Sequence, residues 1–392
     1  MISLPLLPGT DLVARFNRLR EEEPVCQAVM PSGDVMWLVL RYADVKQLYG
    51  DRRFSRDLTA AGSPRTLPGA DWSDNPLSMV NMDGARHKER RRPVMAHLTA
   101  RRIGLLRQDT ADLAAELLAE MTHGRDSADF VEDFATVLPA LSAALVAGVP
   151  RSDYGFFRHE VWPLAVPDQV TKEEFDRAAA EVFGYTVRLV EAKRRKPGND
   201  ATSALAAAVD AGAFPAEVLP VVVMELMFAG MLNTRAVLCS GLLTLMRRRD
   251  WFRRIGLDEG FAADFTGEAL RCFPHPVLGL ARLAVEDAEI GGVTVRRGEA
   301  AVPVLVAANR DPAVFAEPDV FDPSRPGPEG ALSFGYGPHH CIGAALSRMQ
   351  LETAFAVISR TLPSLRLAVA EEELSWRQTF VEYSVARLPV EW

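Results

Sequence analysis

Cysteine is scarce in this chain and none of it is paired by spacing. Cys26, Cys239, Cys272 and Cys341 are the only four among 392 residues, and they form no CxxC pair. That excludes a disulfide framework and a thiol-rich zinc site as the organising chemistry, and it suits a reducing compartment. Ser/Gly linkers, charge blocks, low-complexity runs and internal repeats are also missing. One domain over residues 1–392 is therefore expected, although length alone would allow two or three. An excess of positive charge is absent too: 44 Lys and Arg face 52 Asp and Glu, a net charge of -8, which argues against nucleic acid as a partner. Residues 1–10 lack a basic start followed by a long apolar run, which predicts no secretory signal and, with the unpaired cysteines, a cytoplasmic location. What is present, 48% hydrophobic and 24% charged residues, is the composition of an ordinary globular chain.

The stretch 24–55 reads as strand, Ser-Gly turn, strand, helix. Residues 100–190 are mainly helical by pattern, with Leu105, Leu113, Leu117 and Leu118 at helical spacing. The longest apolar segment is 215–246. Glu225, Asn233, Arg235 and Pro220 inside it favour a buried central helix over a membrane span. A helix containing "EALR", two short strands around Gly291 and Gly292, a glycine-rich loop, another helix and a β-rich tail follow. The fold class expected from this order is mainly α with small sheets.

The glycine-rich loop, "FGYGPHHCIG" at 334–343, places Cys341 where a loop turns into a helix N-terminus. Backbone N–H groups and the helix dipole stabilise a thiolate there. A lone cysteine is most often a small buried hydrophobe. A nucleophilic cysteine would need a base and an orienting partner; His339 and His340 are near, but no third member is evident. A haem thiolate accounts for more of the motif. Gly335, Gly337 and Gly343 let the backbone approach a flat macrocycle, His339 can reach a haem propionate, and Phe334 can cover the sulfur.

The same ten residues resemble the haem-binding loop of the cytochrome P-450 superfamily at every defined position. "EALR", with Glu268 and Arg271, is similar to the family's Glu-x-x-Arg pair, and Arg325 in "FDPSR" to the third, structural member of that ion network. "RLAVEDAEIGG" resembles the segment whose arginine binds a propionate, here Arg282. "ARHKERRRPV" resembles the helix carrying a propionate-binding histidine, here His87, and a basic contact surface that includes Arg91. The resemblance covers nearly the whole chain. It implies a triangular, mostly helical fold with haem b between the central helix and the Cys341 loop, and a monomeric enzyme with no membrane attachment. No flavin-binding or iron–sulfur segment is present, so it also implies electrons from a ferredoxin and a ferredoxin reductase, with the run 86–92 facing the acidic ferredoxin.

The family pattern breaks in "FAGMLNTRAV". Ala229 and Gly230 match the positions that open space beside the iron, but Leu232 and Asn233 stand where an acid and a threonine are usual. Asn233 can donate a hydrogen bond but is a poor proton relay, and Thr234 is about 100° further round the helix. Residues 51–65, 229–234 and the tail 376–392 resemble mycocyclosin synthase and related bacterial enzymes that oxidise cyclodipeptides, which also lack that pair. Val381 and Glu382 depart from the pattern of that branch. The resemblance implies a pocket lined by Val80, Asn81, Met82, Leu164, Ala165, Phe228, Val277, Leu278, Phe380 and Val381, with Asn81 and Asn233 available to the amides of a diketopiperazine. The expected reaction is radical C–C or C–N coupling of an aromatic, preferably tryptophan-containing, cyclodipeptide to a second ring system, another cyclodipeptide or a purine. The alternatives are ordinary monooxygenation of a small hydrophobic natural product and a non-catalytic haem sensor or carrier.

Overall fold

A computed structural model describes residues 2–4, 11–60, 62–67, 75–165, 170–327, 330–378 and 383–392, without the side chains of residues 158, 159, 161, 162, 165, 172 and 378. The chain divides into two compact units. The first comprises Met1–His87, Asp264–Cys341 and Trp376–Ser384; the second comprises Lys88–Ala263, Ile342–Ser375 and Val385–Trp392.

The first unit is built on a six-stranded sheet. Its hairpin, Val25–Val29 against Val35–Val39, arises where β-branched residues flank a turn in which Gly33 takes a φ of 93°. Period-two alternation then sends residues to opposite faces. Cys26, Ala28, Met36 and Leu38 join Ala300 and Val302 in one hydrophobic cluster, while Val25, Val39 and Ala301 join Val45, Leu48 and Tyr49 in another. The sheet is therefore buried on both faces. The second cluster packs the helix Tyr42–Gly50 against the sheet.

The second unit is helical. Leu113, Leu117 and Leu118 are buried on the helix Arg107–Thr122, as their spacing predicts. Leu105 is not part of that face: it lies between two helices and is 74% exposed. The long helix Lys172–Arg195 starts with a reciprocal capping box, Thr171 with Glu174. Gly241 on Met231–Arg247 sits against the Phe355 ring of Ala344–Thr361, where a methyl group would collide with it.

The apolar segment expected as one central helix is two, Leu219–Phe228 and Met231–Arg247, interrupted at Ala229 and Gly230. Among the described residues Ala216–Arg247 is the one stretch long and apolar enough to cross a membrane. Val221, Val222, Val223 and every residue from Thr234 to Leu245 are buried within the protein, so its apolar surface already has protein partners.

Candidate functional site

The Cys341 loop is shaped by hydrogen bonds and glycines. Gly335 and Gly337 have φ of 69° and 72°, a region that a side chain makes costly. The Cys341 amide donates to the Phe334 carbonyl at 2.8 Å, the Gly335 amide to Leu332 at 2.8 Å, and the His340 amide to Gly337 at 3.0 Å. The helix Ala344–Thr361 begins immediately afterwards, with Gly343 at its N-cap. The loop is tied down from behind by Asn309, which is fully buried. Its side chain accepts from the Leu332 amide at 2.7 Å and donates to Ser333 Oγ at 2.8 Å, while Ser333 Oγ donates to the Leu270 carbonyl at 2.6 Å. Of the four cysteines, only Cys341 is exposed.

Beside the loop lies a cluster of cationic and imidazole side chains, all within the first unit. His339 stacks on the buried His87, ring centroids 4.1 Å apart at 26°. His339 Nε2 lies 3.1 Å from Asp83 Oδ1, and Asp83 Oδ2 accepts from Ser55 Oγ at 2.6 Å and from the Arg56 amide at 2.8 Å. Burial would raise the Asp83 carboxyl, but these bonds outweigh it and hold the pKa well below the usual range. Burial lowers His339; the positive charges of Arg282 and Arg56 add to this, and Asp83 opposes it. Arg282 is 3% exposed, and its Nε makes no hydrogen bond among the described residues. Burial pushes its pKa down. Its guanidinium lies 5.0 Å from the centroid of the Tyr49 ring.

Glu268, Arg271 and Arg325 come together elsewhere in the same unit. Arg271 Nε and Nη2 donate to the two Glu268 oxygens at 2.7 and 2.7 Å, and Arg325 Nε reaches Glu268 Oε1 at 3.2 Å. Arg271 also donates to the carbonyls of Asn309, Pro318 and Val320. Burial raises the Glu268 carboxyl and these cations overcompensate, so it stays below its ordinary value.

In the second unit, Ala229 and Gly230 are exposed although the helices on either side of them are largely buried. A Cβ on Gly230 would meet no atom within 4 Å. The Asn233 amide donates back to the Ala229 carbonyl at 3.2 Å, and Thr234 is buried with Oγ1 3.2 Å from Ser347 Oγ. Phe228 and Leu164 are half-buried on that unit.

The remaining pocket residues named from the sequence have mixed surroundings. Val277 and Leu278 are packed into the sheet's hydrophobic cluster, Met82 is buried, and Val80 is half-buried. Asn81 is buried with Arg56 Nη2 3.2 Å from its Oδ1, and its own amide donates to the Asn75 carbonyl at 3.0 Å. Phe380 and Val381 lie outside the described residues, as does Glu382, and the Ala165 side chain is not described. Within 86–92, Arg86, Lys88 and Arg92 are exposed, Arg91 is half-buried, and Arg90 is buried with its guanidinium 5.7 Å from the Phe214 ring centroid.

Asp83, Arg56, Asn309 and Tyr49 were not singled out as site residues from the sequence. An asparagine inside the apolar run "VLVAANR" was the one local signal, for Asn309. The others depend on segments far apart in the chain.

A family model described as Cytochrome P450 matches residues 264–373. The chain is 34% identical over 387 residues to mycinamicin IV hydroxylase/epoxidase of Micromonospora griseorubida, covering 98% of this chain and 96% of that protein. It is 35% identical over 395 residues to nocardicin C N-oxygenase of Nocardia uniformis subsp. tsuyamanensis, covering 100% and 96%. The crystal structure of cytochrome P450 MoxA from Nonomuraea recticatena superposes with a TM-score of 0.90 at 32% identity, covering 97% and 95%. These relatives overturn the expected coupling of an aromatic cyclodipeptide: their names are those of a hydroxylase/epoxidase and an N-oxygenase, enzymes that transfer oxygen. The physical reason is that Leu232 and Asn233 bear on how protons are delivered, which does not decide the bond that is made. Sequence, loop geometry and fold agree, and the chain belongs to the cytochrome P450 family of haem-thiolate enzymes, within its monooxygenases.

Proposed function

We propose that this enzyme transfers one oxygen atom from O2 to a small hydrophobic natural product, by hydroxylation, epoxidation or N-oxygenation, using haem b held by the Cys341 thiolate. The observation that carries the reading is the exposed Cys341 thiol on a glycine-shaped loop beside a cluster of buried cationic and imidazole groups. That donor set fits an iron porphyrin. Arg282, with a spare N–H, and the paired rings of His87 and His339 suit two carboxylates. When bound, a thiolate-ligated haem supplies O2 activation driven by external electrons.

The chain's own residues do the rest. The loop's hydrogen bonds hold the Cys341 backbone so that the sulfur is presented in one direction. Asp83 fixes one nitrogen of His339, and Asn309 anchors the loop from behind. Ala229 and Gly230 leave room for a small diatomic or a substrate edge. Asn233 can orient a water or an oxygen through its amide but cannot relay a proton, so water must move the protons that an acid and a threonine would otherwise carry. Half-buried Phe228 and Leu164, both on the second unit, suit an apolar substrate. Ferredoxin and ferredoxin reductase supply the electrons, the 392 residues act as one domain, and the enzyme works in the cytoplasm; the coverage of nearly full-length bacterial relatives supports these three points.

The test is product mass. Holoenzyme with a surrogate ferredoxin and reductase is given mycinamicin- and nocardicin-type compounds, whose binding is first followed by haem absorbance. A product heavier by one oxygen atom is expected. Compounds that shift the haem spectrum yet remain unchanged under turnover would instead favour a sensor or carrier.

A further inference from the structure

Tyr49 is explained neither by the family motif nor by the role assigned to the Cys341 loop. It is the penultimate residue of the helix Tyr42–Gly50, and it is buried. Several functional segments meet at it. The Arg282 guanidinium lies 5.0 Å from the centroid of its ring. A Cβ placed on Gly335 would sit 3.7 Å from Tyr49 Cζ, so the Cys341 loop packs against the hydroxyl end of the ring. A Cβ on Gly337 would be 3.1 Å from the Tyr49 carbonyl oxygen, so the same loop also rests on the backbone of the residue. Gly279, three residues before Arg282, is where a Cβ would collide with the Tyr49 hydroxyl. Burial raises that hydroxyl to about 12, so it remains a neutral phenol at physiological pH.

Arg282 needs such a partner. A guanidinium that is 3% exposed, with an Nε that makes no hydrogen bond among the described residues, is electrostatically unfavourable unless something faces it. The negative face of an aromatic ring stabilises a cation without consuming its N–H donors. A carboxylate in the same place would neutralise the guanidinium and occupy those donors. The ring holds the cation while leaving it able to bind an anion.

We propose that Tyr49 is a positioning residue for the haem, acting through its ring on both Arg282 and the Cys341 loop. The inference rests on the reading that Cys341 ligates the iron and Arg282 meets a propionate. One side chain then couples the placement of the thiolate to the placement of a propionate partner.

Holoenzyme variants test it by two readouts, the reduced carbon monoxide spectrum and the rate of haem loss to an excess of a haem-scavenging globin. Tyr49→Leu removes the aromatic face. It should lose haem about ten-fold faster, the effect of forfeiting a desolvated cation–π contact. Part of its long-wavelength thiolate band should also move to the shorter-wavelength position. Tyr49→Phe keeps the ring and should stay within about two-fold of wild type on the same argument. Because Tyr49 also packs in the core, Tyr49→Met, which refills the volume without a π face, decides the matter if Tyr49→Leu does not fold. A residue that only packs would lower the melting temperature in both the Leu and Met variants and leave the band and the loss rate unchanged. That outcome overturns the proposal, as does a Phe variant as impaired as the Met variant, which would assign the effect to the hydroxyl. Wild type separates the two levels: without a long-wavelength band in wild type the Cys341 reading fails, whereas a normal band that Tyr49 variants do not disturb sinks only this inference.

Discussion

Arg271 and Arg282 are both buried arginines of the same unit, and they are held in opposite ways. Arg271 has no exposed surface, donates to both oxygens of Glu268 and to backbone carbonyls, and keeps a pKa above the ordinary value because its partners outweigh burial. Arg282 faces an aromatic ring, has an Nε that makes no hydrogen bond among the described residues, and has its pKa lowered by burial. A buried cation whose donors are all used within the protein serves the fold, and little of it remains for a ligand. One whose donors are left under-used carries a desolvation cost that binding an anion relieves. The difference separates a structural network from a binding cluster within one unit.

The largest effect expected from breaking the comparison is all-or-none. Cys341→Ala should abolish the long-wavelength band of the reduced carbon monoxide complex while leaving the circular dichroism of the chain unchanged. A retained band would remove Cys341 from the role of ligand.

Removing one partner from the structural network should act on folding instead. Glu268→Gln or Arg271→Leu leaves an uncompensated buried charge, at a cost of about 3–5 kcal/mol. Urea denaturation of the apoprotein reads this directly. Arg282→Gln should cost the apoprotein far less, or stabilise it, because an under-satisfied charge is removed, and should weaken haem retention. Equal destabilisation by the Arg271 and Arg282 substitutions would erase the distinction.

Acid sharpens the same contrast. The folded-state pKa of Glu268 lies below its unfolded value of about 4.5, so its contribution to stability is fully present above that value. It is lost as pH falls from there through the depressed folded value. The apoprotein should therefore lose stability on acidification below about pH 5. Glu268→Gln should show a shallower acid slope across that window, and a slope identical to wild type would mean that the carboxyl is not held down by its cations.

Smaller effects are expected in the second unit and at the surface. Asn233→Ala should lower turnover by only a few-fold, since the amide orients but does not relay, and should leave substrate affinity unchanged. A loss beyond about a hundred-fold would give Asn233 a direct proton-transfer role. Substituting Glu for the exposed Arg92 should slow reduction by ferredoxin modestly at low salt and converge with wild type as salt rises. A rate insensitive to both charge and salt would place the electron donor elsewhere.

Sequence alone determined the elements that depend on neighbours along the chain. The alternating residues of Val25–Val29 and Val35–Val39 form the hairpin, Gly335 and Gly337 take the positive φ that glycine favours, and Glu268 and Arg271, three apart on a helix, meet on one face. The loop motif identified the family, because its residue types recur at fixed short spacing. The interruption at Ala229 and Gly230 escaped the reading, since apolar composition looks the same in one long helix and in two. Leu105 was misplaced because spacing does not reveal where a helix starts. The substrate class expected from Leu232, Asn233 and the tail was also wrong: those residues report on proton delivery, whereas substrate identity depends on the shape of a surface gathered from many segments. Only the tertiary structure decided that Asp83 binds His339, that Asn309 straps the Cys341 loop and that Tyr49 underlies both Arg282 and Gly335. Those partners are separated by 23 to 286 positions, so no local periodicity links them. Burial, which lowers the pKa of Arg282 and sets it apart from an ordinary surface arginine, exists only once the sheet and its helices have closed around it.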